Sequence, residues 1–201
     1  MSRFYHEGSR RLQDRFDTRR LADRIEQVLA SETLDEDDAA FVSRADMFFL
    51  ATVDDQGQPQ CSYKGGDPGF VKVLDAGTLA FPSYDGNGMY LSMGNLLARP
   101  KIGMLFIDWV GLDRLRINGI ASVDENDPLL DEYERAQLIV RVSTTHVFPN
   151  CGRYIHRMEL VERSRFVPRV DCEPPIPSWK RADWTRDVLA DGDPARDAPP
   201  H

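Results

Sequence analysis

The chain lacks any apolar run of membrane-spanning length. Its longest, such as residues 47–53 and 102–107, fall far short of the ~20 residues that a bilayer helix needs. The opening residues, MSRFYHEGSRR, lack the apolar core of a signal peptide, so a cytoplasmic protein without a membrane role is expected. Cysteine is scarce. Cys61, Cys151 and Cys172 form no C-x-x-C pair and cannot all pair within one chain, which suits a reducing compartment and predicts buried or bystander thiols. Positive charge is in deficit, 25 Lys and Arg against 33 Asp and Glu, and the net charge of −8 argues against nucleic acid as a partner. The common signatures G-x-S-x-G, G-x-x-x-x-G-K-[ST] and a strand-to-helix G-x-G-x-x-G are also missing. No internal repeat is visible.

What is present begins with helical periodicity. Leu21, Ile25, Val28 and Leu29 recur at i, i+4, i+7 and i+8, a stripe expected to be buried against the barrel or a second subunit. Thr33 with Glu36 reads as a capping box ahead of Ala39, Ala40, Phe41 and Val42. Residues 1–45 are therefore predicted to form a helical extension. The arginines of residues 9–24 are interleaved with Asp14, Asp17 and Asp23, the pattern of a solvated helix face.

From Phe48 the period changes to two. FFLATVD, a turn at Asp54-Asp55-Gln56-Gly57 with Gly57 at positive φ, and QPQCSYK read as a hairpin. Further strands are expected at residues 69–74, 78–82, 102–109, 114–123 and 137–148, about seven in all. Helices are expected at residues 94–99 and 128–135, the second with Asp127 as N-cap and Pro128 at its first position. So many short strands favour a mainly β, closed or partly closed antiparallel barrel with peripheral helices. The core domain is placed at residues 46–167. Residues 168–201, with six prolines from Pro174 onward, are expected to run as an extended arm that frays after Asp191.

The most informative segment is residues 81–95, FPSYDGNGMYLSMGN. It follows a short strand, contains Gly86, Gly88 and Gly94, and ends with Ser92 as the expected N-cap of a helix. Such a loop can receive an anion through free N–H groups and the positive end of the helix dipole, although an ordinary glycine turn has the same composition. Cations stand on predicted strands at Lys64, Lys72, Arg114 and Arg116, and the i, i+2 spacing puts the last two on one face. His146, Cys151 and His156 have metal-ligand side chains, but the spacing crosses a Pro-Asn turn and offers no fourth ligand, so no metal site is assigned. Cys151 lacks a local base that would make it a nucleophile.

Taken in order, FFLATVDDQGQPQCSYKGG, PGFVKVLD, TLAFPSYDGNGMYLSMGNLLARPKIGMLFID and RLRINGIASV resemble the pyridoxamine 5′-phosphate oxidase-like family of FMN-binding split-barrel proteins. VFPNCGRYIH and SWK are similar to the C-terminal part of its branch of predicted flavin-nucleotide-binding proteins. The resemblance implies a six-stranded split barrel and a homodimer with one FMN per subunit at the interface. It implies that Phe70, Val71, Lys72 and Val73 lie beside the isoalloxazine ring. Tyr84, Asn87, Ser92 and Asn95 would surround the phosphate, and Arg114 would contact the flavin with Arg116 as its same-face neighbour.

One departure stands out: the family oxidase carries a Ser-Arg-Lys run in its phosphate loop, whereas no Arg or Lys stands between Tyr84 and Leu97 here. Anion binding would rest on neutral donors, the helix N-terminus and cations from other strands. Vitamin B6 phosphate is correspondingly disfavoured as substrate; the match of Trp179, Lys180 and Arg181 to the oxidase's C-terminal substrate residues is loose. The resemblance implies an FMN-dependent oxidoreductase whose small-molecule substrate gives hydride to flavin N5, with no protein acid or base assigned. Two alternatives stay open at this point: a non-catalytic flavin carrier, store or sensor, and a relative holding a deazaflavin or haem.

Overall fold

Local capping decides where the first helices begin. The computed structural model describes residue 2, residues 4–170 and residues 172–198. In it helices α1 (Glu7–Arg15), α2 (Arg19–Leu29) and α3 (Glu36–Arg44) precede the first strand. The capping box at α3 is made by Asp35 and Asp38, not by Thr33 and Glu36, because the Asp35 carboxylate accepts from the Asp38 backbone N–H at 2.8 Å. The apolar stripe of α2 is not buried in the chain: Leu21, Ile25, Val28 and Leu29 are all exposed. No described helix is long and apolar enough to cross a membrane.

Seven strands then form one antiparallel sheet. They are β1 (Met47–Val53), β2 (Pro59–Gly65), β3 (Lys72–Asp75), β4 (Thr78–Tyr84), β5 (Lys101–Asp108), β6 (Asp113–Asp124) and β7 (Ala136–Asn150). The order β2-β1-β5-β6-β7-β4-β3 leaves β2 and β3 as unpaired edges, the seam of a split barrel. Helix α4 (Leu91–Ala98) connects β4 to β5 and packs on β1 and β6. A short 3-10 helix, Pro128–Glu132, connects β6 to β7, with the Asp127 carboxylate accepting from Leu129 N–H as expected of the N-cap. Gly57 takes the predicted positive φ, +92°, in the β1–β2 turn.

Period-2 patterning puts Phe48, Leu50, Phe81, Phe106, Ile117, Val140 and Val142 inside, all of them inaccessible to solvent. The Phe48 ring lies 5.0 Å from that of Phe81 and 5.2 Å from that of Phe106, centroid to centroid. The β6–β7 pairing shifts register between Asn118 and Gly119. There a Cβ on residue 119 would stand 2.5 Å from Val142 Cγ1 and 2.7 Å from the Ser143 carbonyl oxygen. Backbone cannot yield as a side chain can, so Gly119→Ala is expected to lower unfolding free energy by about 1–2 kcal/mol. A urea titration showing an unchanged midpoint would refute that close approach.

The chain divides into two compact units, residues 1–160 and residues 161–201. The second unit is not the extended arm that its prolines predict. It forms a 3-10 turn (Ser178–Arg181) and a short helix α5 (Asp183–Arg186), and its Lys180 ammonium donates to Asp193 at 2.8 Å with both side chains about nine-tenths buried. That ion pair and the buried Ala195 tie described residues beyond Asp191 back to the 3-10 turn, while residues 199–201 lie outside the described residues. The three cysteines are exposed rather than buried.

Candidate functional site

β4 delivers the glycine loop to the start of α4, and the entry differs from the sequence expectation. Tyr90, not Ser92, is the N-cap; it takes a left-handed conformation (φ 49°) and supplies no side-chain cap. Ser92 is the second helical residue. A left-handed entry turns the chain sharply enough that α4 starts two residues early, and the Tyr90 hydroxyl donates to Gln137 at 2.9 Å to hold the corner. Of the loop glycines only Gly88 has positive φ, +76°. Asn87 closes an Asx turn, its Oδ1 accepting from Met89 N–H at 3.1 Å.

Open space surrounds this corner. A Cβ built on Gly86, Gly88 or Gly94 would meet nothing within 4 Å, so packing within the chain demands none of these glycines. No acidic residue occupies the first turn of α4. A positive dipole end without a capping side chain, with glycines at positions 86, 88 and 94 around it, leaves room for an anion to approach the backbone.

Asn95 points the other way. It is buried, and its Nδ2 donates at 3.0 Å to both Thr52 Oγ1 on β1 and Gln60 Oε1 on β2. One amide thus ties α4 to the seam strand. Thr52 pairs with Gln60, Leu50 with Ser62 and Phe48 with Lys64, and directly paired residues share a face. Gln60, Ser62 and Lys64 therefore form a polar row along the inner side of β2, beginning at the residue that holds Asn95.

Sequence reasoning left all three residues of this row outside the site, naming Lys64 only as a cation on a predicted strand. Burial alone lowers the pKa of Lys64, and among the described residues no carboxylate pairs with it. The signal was available in the alternation of PQCSYKG, which puts Gln60, Ser62 and Lys64 on one side of a strand.

The other anticipated residues are distributed as follows. Phe70 and Val71 are buried in the core just ahead of β3, and the Phe70 carbonyl accepts from the Tyr133 hydroxyl at 2.9 Å. Burial raises the Tyr133 pKa, reinforced by Tyr84 and Glu132, so this phenol stays a donor. Lys72 is ion-paired with Glu132, and its ammonium sits 5.1 Å from the centre of the Tyr133 ring; Val73 follows, paired with Leu79. Tyr84 ends β4 opposite Ala136. Arg114 and Arg116 share the outward face of β6, alternating with buried Leu115 and Ile117, and Arg114 donates to the Cys151 carbonyl at 2.5 Å. Asn87 and Ser92 thus lie on either side of the α4 start, whereas Asn95 faces β1 and β2, residues 70–73 run into β3, and the two arginines stand apart on β6. Around His146, Cys151 and His156, as elsewhere among the described residues, no group of three His, Cys, Asp or Glu could hold a metal ion.

No curated protein matches the chain. Among solved structures, a Lactobacillus delbrueckii protein described as a candidate pyridoxamine 5′-phosphate oxidase is 24% identical with a TM-score of 0.49, over 59% of this chain and 95% of its own. An FMN-binding protein of Syntrophomonas wolfei is 12% identical (TM-score 0.46; 69% and 96% covered). The haem storage protein HutZ of Vibrio cholerae is 16% identical (TM-score 0.42; 56% and 92% covered). Likenesses of this degree carry no functional weight. The family model for pyridoxamine 5′-phosphate oxidase, however, matches residues 34–162, more than half of the chain and all seven strands, and with the antiparallel split barrel it establishes that the chain belongs to that family.

Proposed function

We propose that the protein binds FMN and acts as an FMN-dependent oxidoreductase on a small molecule, as a homodimer in the cytoplasm. The observation that carries this reading is the pairing of two features joined through Asn95 of α4. They are the open start of α4, where no side chain caps the helix, and the row Gln60, Ser62, Lys64 that leads from Asn95 along β2. The two suit the two ends of a flavin mononucleotide. Ser92 and the first N–H groups of α4 would take the phosphate in place of the missing arginine and lysine, with Tyr84 and Asn87 shaping the loop. Asn95 would act as a positioning residue, fixing the helix to β1 and β2.

Phe70, Val71, Lys72 and Val73 would lie along the ring, their backbone held by the Tyr133 hydroxyl. Lys64 would place a positive charge where a reduced ring becomes anionic. FMN, when bound, supplies the hydride chemistry at N5; the protein supplies position, electrostatics and exclusion of water. Arg114 and Arg116, on the outward face of β6, would reach the flavin of a second subunit, and the exposed α2 stripe offers apolar surface to the same dimer.

A second reading is a non-catalytic flavin store, carrier or sensor. It is favoured by the side chains assembled here: Gln60, Ser62, Ser92 and Asn95 carry no group that titrates near neutral pH as a general acid or base would. The test is an absorption spectrum of the purified protein with mass identification of the released chromophore. About one FMN per chain supports cofactor binding, and turnover with a nicotinamide or amine donor then separates enzyme from carrier. A protein that stays colourless in excess FMN refutes both readings.

A further inference from the structure

The opposite end of β1 and β2 borders a cavity that the flavin reading does not use. It has a volume of about 480 Å3, within the range of small-molecule sites. Its walls come from the end of α3, the start of β1, the end of β2, the β5–β6 turn and residues 158–160. Four aromatic side chains, Phe41, Phe49, Tyr63 and Trp109, line it, and the rings of Phe49 and Tyr63 meet edge to face at 6.2 Å. The Trp109 carbonyl accepts from Met158 N–H at 3.2 Å, laying residues 158–160 along one side.

The charges at this cavity are unbalanced. Among the lining residues Asp46, Asp108 and Glu159 stand against a single cation, Arg44, while Glu159 also lies 3.8 Å from the exposed Arg157 just beyond the lining. Arg44 is already committed, its guanidinium 4.4 Å from the centre of the Phe41 ring and 3.8 Å from the Asp108 carboxylate. Asp108 is also engaged in the β5–β6 turn, accepting from Val110 and Gly111 N–H groups at 3.0 and 2.7 Å. Asp46 is the carboxylate with the fewest commitments, and it acts on Tyr63, whose phenol is held above its ordinary pKa by burial first and by Asp46 second. Aromatic faces with carboxylates at their rim attract a cation through the ring quadrupoles and through direct charge. The Arg44–Phe41 contact is the same interaction made within the chain.

We propose that this cavity is a second binding site and that it takes a hydrophobic organic cation, an amine or quaternary ammonium carrying an aromatic or alkyl body. The body fills the space between Phe49, Tyr63 and Trp109, and the charge sits toward Asp46 and Glu159. An anionic body of the same shape is rejected by the three carboxylates.

Two naphthyl probes matched in shape test this, one with a trimethylammonium head and one with a sulfonate, titrated calorimetrically into the full chain with and without excess FMN. The expected result is binding of the cation roughly tenfold or more tighter than the anion, unchanged by FMN. Asp46→Asn should weaken the cation about tenfold, while Arg44→Gln should strengthen it, an opposite sign that general loosening of the fold would not produce. Glu159→Gln, at an exposed position, serves the same comparison should Asp46→Asn fail to fold. Equal affinity for the two probes, no binding of the cation, displacement by FMN, or indifference to removal of the carboxylates would each overturn the proposal.

Discussion

Replacing Gly94 with alanine is expected to raise the melting temperature and to weaken FMN binding about a hundredfold. The two effects have separate causes. Gly94 lies inside α4 and is exposed, with nothing within 4 Å of a built Cβ, so alanine fits there and improves the helix by roughly 0.5–1 kcal/mol. The same methyl group would occupy the space through which a phosphate approaches the first turn. Losing one or two charge-assisted N–H contacts, each about 1.5–3 kcal/mol, gives an effect of that size. Thermal melts of the apo-protein and fluorescence titration with FMN check the two halves independently. A variant that melts higher and binds FMN normally would show that the phosphate does not sit at this helix.

Lys64→Met is expected to stabilise the apo-protein at neutral pH and to weaken binding of reduced FMN roughly thirtyfold, with much less effect on the oxidised form. Burial lowers the Lys64 pKa in the folded chain below its unfolded value of about 10.4. At pH values below the folded pKa, the native state therefore bears the cost of a poorly solvated ammonium. As pH rises from that depressed pKa toward about 10.4, the unfolded chain binds more protons than the native one, so this residue's contribution to stability improves. The methionine variant should lack that alkaline rise. Urea melts at several pH values test the first part, and photoreduction followed by titration tests the second. Equal loss of affinity for both flavin states would move Lys64 from the ring to a merely structural place.

The strand pattern was legible because it is local: alternation in FFLATVD and QPQCSYK and the glycine or proline at each turn predicted all seven strands within a few residues of their ends. The capping residues were harder, since Thr33 and Asp35 both make sense three positions before a carboxylate and only the path of the chain into α3 selects Asp35. Ser92 failed as an N-cap for a comparable reason. A left-handed tyrosine is rare enough that no composition rule would choose Tyr90. The partners of Asn95 could not be read at all, because they follow from strand register and helix docking. Lys64 lay between these cases, visible as a cation on a strand, but meaningful only once its burial and its position beside Phe48 were known. The C-terminal arm was misread because prolines forbid regular helices over long stretches but permit short turns stapled by an ion pair.

The bonds from Asn95 to Thr52 and Gln60 span 43 and 35 residues. Hairpins such as β1–β2 and β5–β6 can close early at small entropic cost, but the Asn95 bonds exist only after α4 has docked across the longer loop that brings β1 beside β5. The corner where α4 meets β1 and β2 is therefore expected to form late in folding, outside its nucleus. Ligand added to the denatured chain has nothing to hold, so it should leave the refolding rate unchanged and act only by slowing escape from the native state.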